Sequence, residues 1–259
     1  MNHKTNQFNW PEEFISLDGR NGKRGKHQSY PISEEFFRQR HIVTLPKDAV
    51  DGAKILDLGS YLGTTGYWCM AHGCASYTGV ENISKYAQIS RELLKKYCPP
   101  KWLICEREIQ EYLCTTDSRF DIAIAWGVFN TFTDPILMLE KLMGLADIIL
   151  IDSAIPNVVI KNNLDELTTP VIEINPWSSM VMDNNNDDAA DMFQGSRISI
   201  AAIEMIATRC GFSLTTEPYI LLKEQFPNIY GVDAECKRFT IKLVKSNEPK
   251  AKTYRDIHG

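Results

Sequence analysis

Apolar positions in this chain fall into short continuous runs separated by stretches of helical period, the pattern of a sheet covered on both faces. Seven runs read as strands: residues 55–58, 77–80, 102–105, 120–126, 147–151, 212–216 and 239–244. A helical segment ending at His72 lies between the first two, with Gly73 to stop it. After the second, Ile83, Tyr86, Leu93, Leu94 and Tyr97 share one helical face, and Pro99-Pro100 end it. Residues 33–44 and 137–145 are predicted helices, and Ser196 is expected to cap another over 197–210 that Gly211 terminates. The link 217–237 reads as poor in helix.

Strand–helix alternation of this kind predicts an α/β fold with a doubly wound sheet and helices on both faces. Its organising unit is residues 54–82, a strand, a glycine turn, a helix and a second strand with Glu81 at its tip. Such sheets take ligands at the carboxyl ends of their strands. Gly59 and Gly63 let the backbone approach a ligand, and an acid at the tip of the second strand can accept hydrogen bonds from ribose hydroxyls. Tyr61 stands where a dinucleotide fingerprint needs its second glycine, the one that admits a pyrophosphate, so NAD is disfavoured.

The run Asp57-Leu58-Gly59-Ser60-Tyr61-Leu62-Gly63 resembles the first motif of the class I S-adenosylmethionine-dependent methyltransferases, and Glu81 resembles their ribose-binding acid. The resemblance spans residues 50–245, more weakly from Phe14, and is closest to members with an aromatic at the middle glycine. It implies a Rossmann-like sheet of seven strands, mostly parallel, with an antiparallel last strand inserted beside the sixth. It implies S-adenosylmethionine as cofactor, held by Asp57, Gly59, Ser60, Tyr61, Gly63, Glu81, Asn82 and Trp126. An acid after the third strand would meet the adenine; Glu108 with Ile109 fits better than Glu106. After the fourth strand, residues 127–135 follow a family pattern, but Thr131, beside Asn130, replaces a histidine that in some members acts near the substrate. The resemblance therefore supplies no general base.

Composition narrows the reading. The chain has 259 residues, 44% of them hydrophobic, enough for one large domain with insertions. We expect an N-terminal cap or flap over 1–50, a cofactor-binding half over 51–154, an inserted substrate lid over 155–195, a C-terminal half over 196–246 and a tail over 247–259. Seven cysteines without a Cys-x-x-Cys pair read as reduced thiols, and with no export signal or membrane-length apolar run they predict a cytoplasmic protein. No ligand spacing suggests a metal or an iron–sulfur cluster. The Asn/Asp-Pro-Pro-Tyr/Phe turn of enzymes that methylate amino nitrogens is missing.

The acceptor is where alternatives stay open. A net charge of −5 argues against nucleic acid, and residues 155–195 carry Trp177 and several methionines, which suit a compact molecule. The favoured expectation is an O- or N-methyltransferase of a small metabolite. The alternatives are a methyltransferase of transfer RNA, since Arg20, Lys23, Arg24 and Lys26 lie in one glycine-rich loop, and a non-catalytic cofactor-binding subunit. Asp152, at the predicted end of the fifth strand, is the candidate for proton removal or substrate binding. His27, Tyr30, Asn130, Thr131, Trp177 and Arg197 are further candidate substrate contacts, and His41 faces the substrate, the packed interior or the surface.

Overall fold

A computed structural model of the chain describes residues 8–16, 34–129, 132–173, 196–230 and 238–246. Three helices come first, α1 (Glu12–Ser16), α2 (Glu34–Thr44) and α3 (Lys47–Val50). The sheet then begins: β1 (Lys54–Leu58), α4 (Thr64–Ala71), β2 (Ser76–Val80), α5 (Ser84–Tyr97), β3 (Trp102–Cys105), α6 (Ile109–Thr115) and β4 (Phe120–Trp126). It continues with α7 (Pro135–Leu145), β5 (Ala146–Ala154), α8 (Asn157–Lys161), β6 (Ile172–Glu173), β7 (Arg197–Ile198) and α9 (Ile200–Arg209). Last come β8 (Phe212–Thr215), α10 (Glu217–Gln225), α11 (Pro227–Tyr230) and β9 (Arg238–Lys245).

Seven strands form one sheet in the order β3-β2-β1-β4-β5-β9-β8. The pairs among β1 to β5 are parallel, while β9 runs antiparallel to both its neighbours, β5 and β8. This is the predicted seven-stranded sheet with an antiparallel last strand beside the sixth. Alternation of side chains sends Ile55, Ile122, Ile124 and Leu150 to one face, where Trp10, Phe14, Leu45 and Trp68 cover them. Leu56, Leu58, Ala123, Ala125, Ile149 and Ile151 go to the other, under Met138, Leu139, Leu142 and Ile203. Burial on both faces is why the strands read as continuous apolar runs.

Three local expectations are corrected. The fifth strand does not stop at 151: β9 pairs with it from Ile148↔Val244 to Ala154↔Arg238, so Asp152 sits inside the ladder opposite Thr240. Ser196 does not cap the helix. Arg197 and Ile198 pair with Glu173 and Ile172, and the cap is Ser199, whose Oγ accepts from Ala202 N–H. The link after β8 holds two helices, α10 and α11, with Tyr219, Leu222, Ile229 and Tyr230 buried. Helix α6, with Tyr112 and Leu113 buried, fills a stretch for which the sequence reading assigned no element.

No helix among the described residues is long and apolar enough to cross a membrane. Residues 155–173, expected to start a lid, contribute Ile155 and Val159 to the main core. The remainder of that stretch, 174–195, lies outside the described residues, as do the basic loop and the tail.

Candidate functional site

The chain leaves β1 at Leu58 and reverses through residues 59–63. Gly59 (φ 68°), Tyr61 (φ 50°) and Gly63 (φ 74°) all lie in the left-handed region. The turn spends its amides within the chain: Gly59 and Ser60 N–H donate to Val80 O at 2.8 and 3.0 Å, and Gly63 N–H donates to Ser60 O at 2.9 Å. What it offers a ligand is room. A Cβ on Gly59 would overlap Val128 Cγ1 and come within 4.0 Å of Ile109 Cδ1. The loops after β1, β3 and β4 thus converge on one point. Tyr61 holds its positive φ at a cost of about 1–2 kcal/mol, and its ring lies 4.3 Å from that of Tyr86.

Glu81 supports this conformation. It is 5% exposed, and its carboxylate accepts from Tyr61 N–H and from Ile83 N–H, both at 2.9 Å. One buried acid therefore ties the turn after β1 to the start of α5. Next to it, Asn82 Nδ2 donates to Glu108 Oε1 at 2.9 Å, which brings the loops after β2 and β3 together. Glu106 is engaged elsewhere, with Ser84 Oγ at 2.5 Å and Arg91 Nη1 at 3.0 Å, and these bonds hold its carboxyl below the usual range. Of the two acids, Glu108 is the one bonded to the neighbour of Glu81.

Asp57 accepts from Tyr77 Oη at 2.7 Å and is 4% exposed. Burial pushes its carboxyl up to about 7, against the opposing pull of the Tyr77 hydrogen bond and the Arg40 charge. Glu81 adds to the upward push.

Trp126 ends β4 and stacks under Arg40 of α2, whose guanidinium carbon lies 4.2 Å from the ring centroid. Asp152, one strand further, is fully buried and bonded by Arg238, by Thr240 Oγ1 at 2.7 Å and by Tyr230 Oη at 2.9 Å; Arg40 Nη1 stands 3.8 Å away. Burial pushes the Asp152 carboxyl up, but Arg238, Arg40 and Thr240 outweigh it and hold it below the ordinary value. His41 is fully buried, with Nδ1 2.7 Å from Phe37 O and Nε2 3.2 Å from Thr65 Oγ1, so it belongs to the core. Arg197 Nη1 donates to Ile155 O at 3.1 Å, beyond the end of β5. His27, Tyr30, Asn130, Thr131 and Trp177 lie outside the described residues.

The carboxyl-end loops of β1 to β4 thus gather Gly59, Tyr61, Glu81, Asn82, Glu108, Ile109 and Trp126, with Asp57 behind the turn. Arg40, Arg238 and Tyr230 were not anticipated. For Arg40 a signal existed: it occupies the Phe37, Arg40, Thr44 stripe of α2, where an apolar residue is expected. Among the described residues, no group of three His, Cys, Asp or Glu side chains is placed to hold a metal.

The N-terminal domain of EvdMO1, solved with S-adenosylhomocysteine bound, matches 91% of this chain and 98% of its own length, with a TM-score of 0.57 and 12% identity. The fold is that of the class I methyltransferases. Magnesium protoporphyrin IX methyltransferase from Synechocystis PCC 6803, with the same product bound, matches over 91% and 94%, at a TM-score of 0.52 and 14% identity. An S-adenosylmethionine-dependent methyltransferase from Mesorhizobium loti matches over 82% and 98%, at 0.52 and 14%. No protein-family model matches the chain, and no curated protein does. In a methyltransferase fold the turn at 59–63 and the acid at 81 stand at the switch between β1 and its neighbours, where open sheets place a ligand.

Proposed function

We propose that this chain is an S-adenosylmethionine-dependent methyltransferase that acts on an oxygen or nitrogen of a small molecule. One observation carries the cofactor: a buried carboxylate at the tip of β2, Glu81, is aimed at the turn after β1 by two backbone amides. That turn has no room for a side chain at Gly59. The donor set fits the group. A ribose brings two hydroxyl donors, and Glu81 is an acceptor; the methionyl end brings a sulfonium and an ammonium, and Asp57 and Glu81 are the acids beside it.

When bound, the cofactor supplies an electrophilic methyl that moves by in-line displacement. The chain's work is then to hold the acceptor in line and exclude water. Glu81 orients the ribose, Glu108 and the Ile109 backbone meet the adenine, and Tyr61 with Tyr86 walls the nucleoside. Asp57 responds to the positive charge at the sulfur. Asp152 is a positioning group rather than a base, because Arg238, Thr240 and Tyr230 already take its carboxylate. A small acceptor is supported by the net charge of −5 and by the aromatic surroundings of the Arg40 guanidinium, which lies beside Phe36, Phe37 and Trp126.

The test has two steps. Calorimetry should show S-adenosylhomocysteine binding to the wild type and weaker binding to Glu81→Ala; a wild type that does not bind it refutes the cofactor. Methyl-labelled S-adenosylmethionine is then offered with a metabolite extract and, separately, with bulk transfer RNA. Label in the small-molecule fraction is expected, and label only in RNA would overturn the acceptor class.

A further inference from the structure

One buried hydroxyl behind the glycine turn is not explained by packing. Tyr77 is 1% exposed and sits in β2, paired with Ile55 of β1 and Trp102 of β3. Helix α4 lies directly on its ring: a Cβ on Gly66 would come 2.7 Å from Tyr77 Cε1 and 2.8 Å from Cζ. Glycine inside a helix costs about 0.5–1 kcal/mol relative to alanine, so helix stability is given up to seat this ring. Phenylalanine would fill the same space and bury no polar group. What the hydroxyl adds is one bond, from Tyr77 Oη to Asp57 Oδ2 at 2.7 Å. Among the described residues it is the only hydrogen bond that this carboxylate receives.

Few other groups act on the pair. Glu81 faces Asp57 from β2, Arg40 from α2 and the Cys69 thiol from α4. Burial holds Cys69 well above its ordinary value, so it stays neutral. Burial also opposes a charge on Asp57 most strongly; the Tyr77 bond counters it more than Arg40 does, and Glu81 adds to the opposition. The phenol stays protonated, because burial and the Asp57 charge hold it well above the usual tyrosine value, and so it remains a donor. We propose that Tyr77 is a positioning residue of the methyl transfer: its hydroxyl holds the Asp57 carboxylate in the charged form that favours the sulfonium donor over the neutral thioether product. Once the methyl has left, the sulfur is neutral and the carboxylate loses its counter-charge, which favours release of the product. The role of the cation rests on the methyltransferase reading, whereas the action of Tyr77 on Asp57 rests on the buried pair itself.

The experiment titrates wild type and Tyr77→Phe calorimetrically with S-adenosylmethionine and with S-adenosylhomocysteine, at about pH 6.5 and about pH 9. Without the phenol, Asp57 is harder to ionise. At the lower pH the variant should bind S-adenosylmethionine about 10-fold more weakly than wild type, the equivalent of about one pKa unit. The gap should close at the higher pH, where Asp57 is ionised in both proteins, and should be smaller throughout for S-adenosylhomocysteine. On an Asp57→Asn background, Tyr77→Phe should change neither affinity. A loss equal at the two pH values, equal for the two ligands, or retained on that background overturns the proposal and leaves Tyr77 a packing residue. A wild type that binds neither nucleoside defeats the methyltransferase reading instead. Urea denaturation of the free proteins then decides the action of Tyr77 on Asp57: Tyr77→Phe should destabilise more at pH 8 than at pH 5, and equal destabilisation overturns it. Tyr77→Phe keeps the ring on which α4 packs. Where it does not fold, Gly66→Ala serves: its Cβ presses on the ring, shifts the hydroxyl from Asp57, and should give the same gap that closes with pH.

Discussion

Asp57→Asn should stabilise this protein, and by an amount that depends on pH. The carboxyl is raised by burial from its ordinary 3.8 to about 7, against a hydrogen bond from Tyr77 and the charge of Arg40. An acid raised in the folded state contributes nothing below the unfolded value, costs more as pH climbs from there to the folded value, and costs a constant amount above it. At about 1.36 kcal/mol per unit, the ionised group costs roughly 4 kcal/mol at pH 8 and about 1.6 at pH 5. Asparagine has nearly the same shape, still accepts from Tyr77 Oη and never ionises. Urea denaturation of both proteins at pH 5 and pH 8 should show the variant gaining about 2–3 kcal/mol more at the higher pH. A gain equal at the two pH values, or a loss at pH 8, would refute the reasoning. The cost has a function in the proposed enzyme, since a sulfonium nearby favours the ionised form. The variant should therefore weaken S-adenosylmethionine, a cation at sulfur, more than the neutral thioether product.

Other perturbations follow from the same geometry. Glu81→Ala should cost about 1.5–3 kcal/mol of S-adenosylhomocysteine affinity, the range for bonds to a charged group, and calorimetry reads it directly. Asp152→Asn should destabilise by about 3–5 kcal/mol in denaturant titrations, because Arg40 and Arg238 would lose their shared counter-charge inside the protein. Gly59→Ala should lower both thermal midpoint and nucleoside affinity, since its Cβ overlaps Val128 Cγ1. Adding Val128→Ala should restore part of the loss but leave about 1–2 kcal/mol, the share due to the left-handed φ.

The strands were legible because burial on both faces makes each an apolar run bounded by turn residues, and Glu81 was legible as an acid at such a boundary. Features set by distant pairing were not. Ser196 and Ser199 both precede an apolar stretch, and only the contact of Arg197 and Ile198 with Ile172 and Glu173 decides which one caps α9. The end of β5 was read two residues short of Ser153 and three short of Ala154, because the antiparallel strand that extends it comes from residue 238 onward. Helix α10 was passed over although Pro218 stands in its first turn, a usable start signal. Its stability comes from burying Tyr219 and Leu222, which its weak periodicity does not announce.

Asp57 and Asp152 show why site chemistry is the least legible layer. Both follow apolar strand residues, both are buried, and alternation along paired strands puts both on the same face of the sheet. Burial pushes both carboxyls up. What separates them is company from other elements. Asp57 receives one phenol from β2, and its strongest neighbouring charge, Arg40, is shared with Asp152. Asp152 receives Arg238 and Thr240 from β9, 86 and 88 residues away, and Tyr230 from α11. The first is therefore raised, while the second is held ionised as the counter-charge for two arginines. Their contributions to stability run in opposite senses: that of Asp152 is present above about pH 4 and lost as acid protonates it, and that of Asp57 is a cost that grows up to about pH 7. Two aspartates on one face of the sheet thus end in opposite electrostatic states, and the company that β9 and α11 bring to β5 tells them apart.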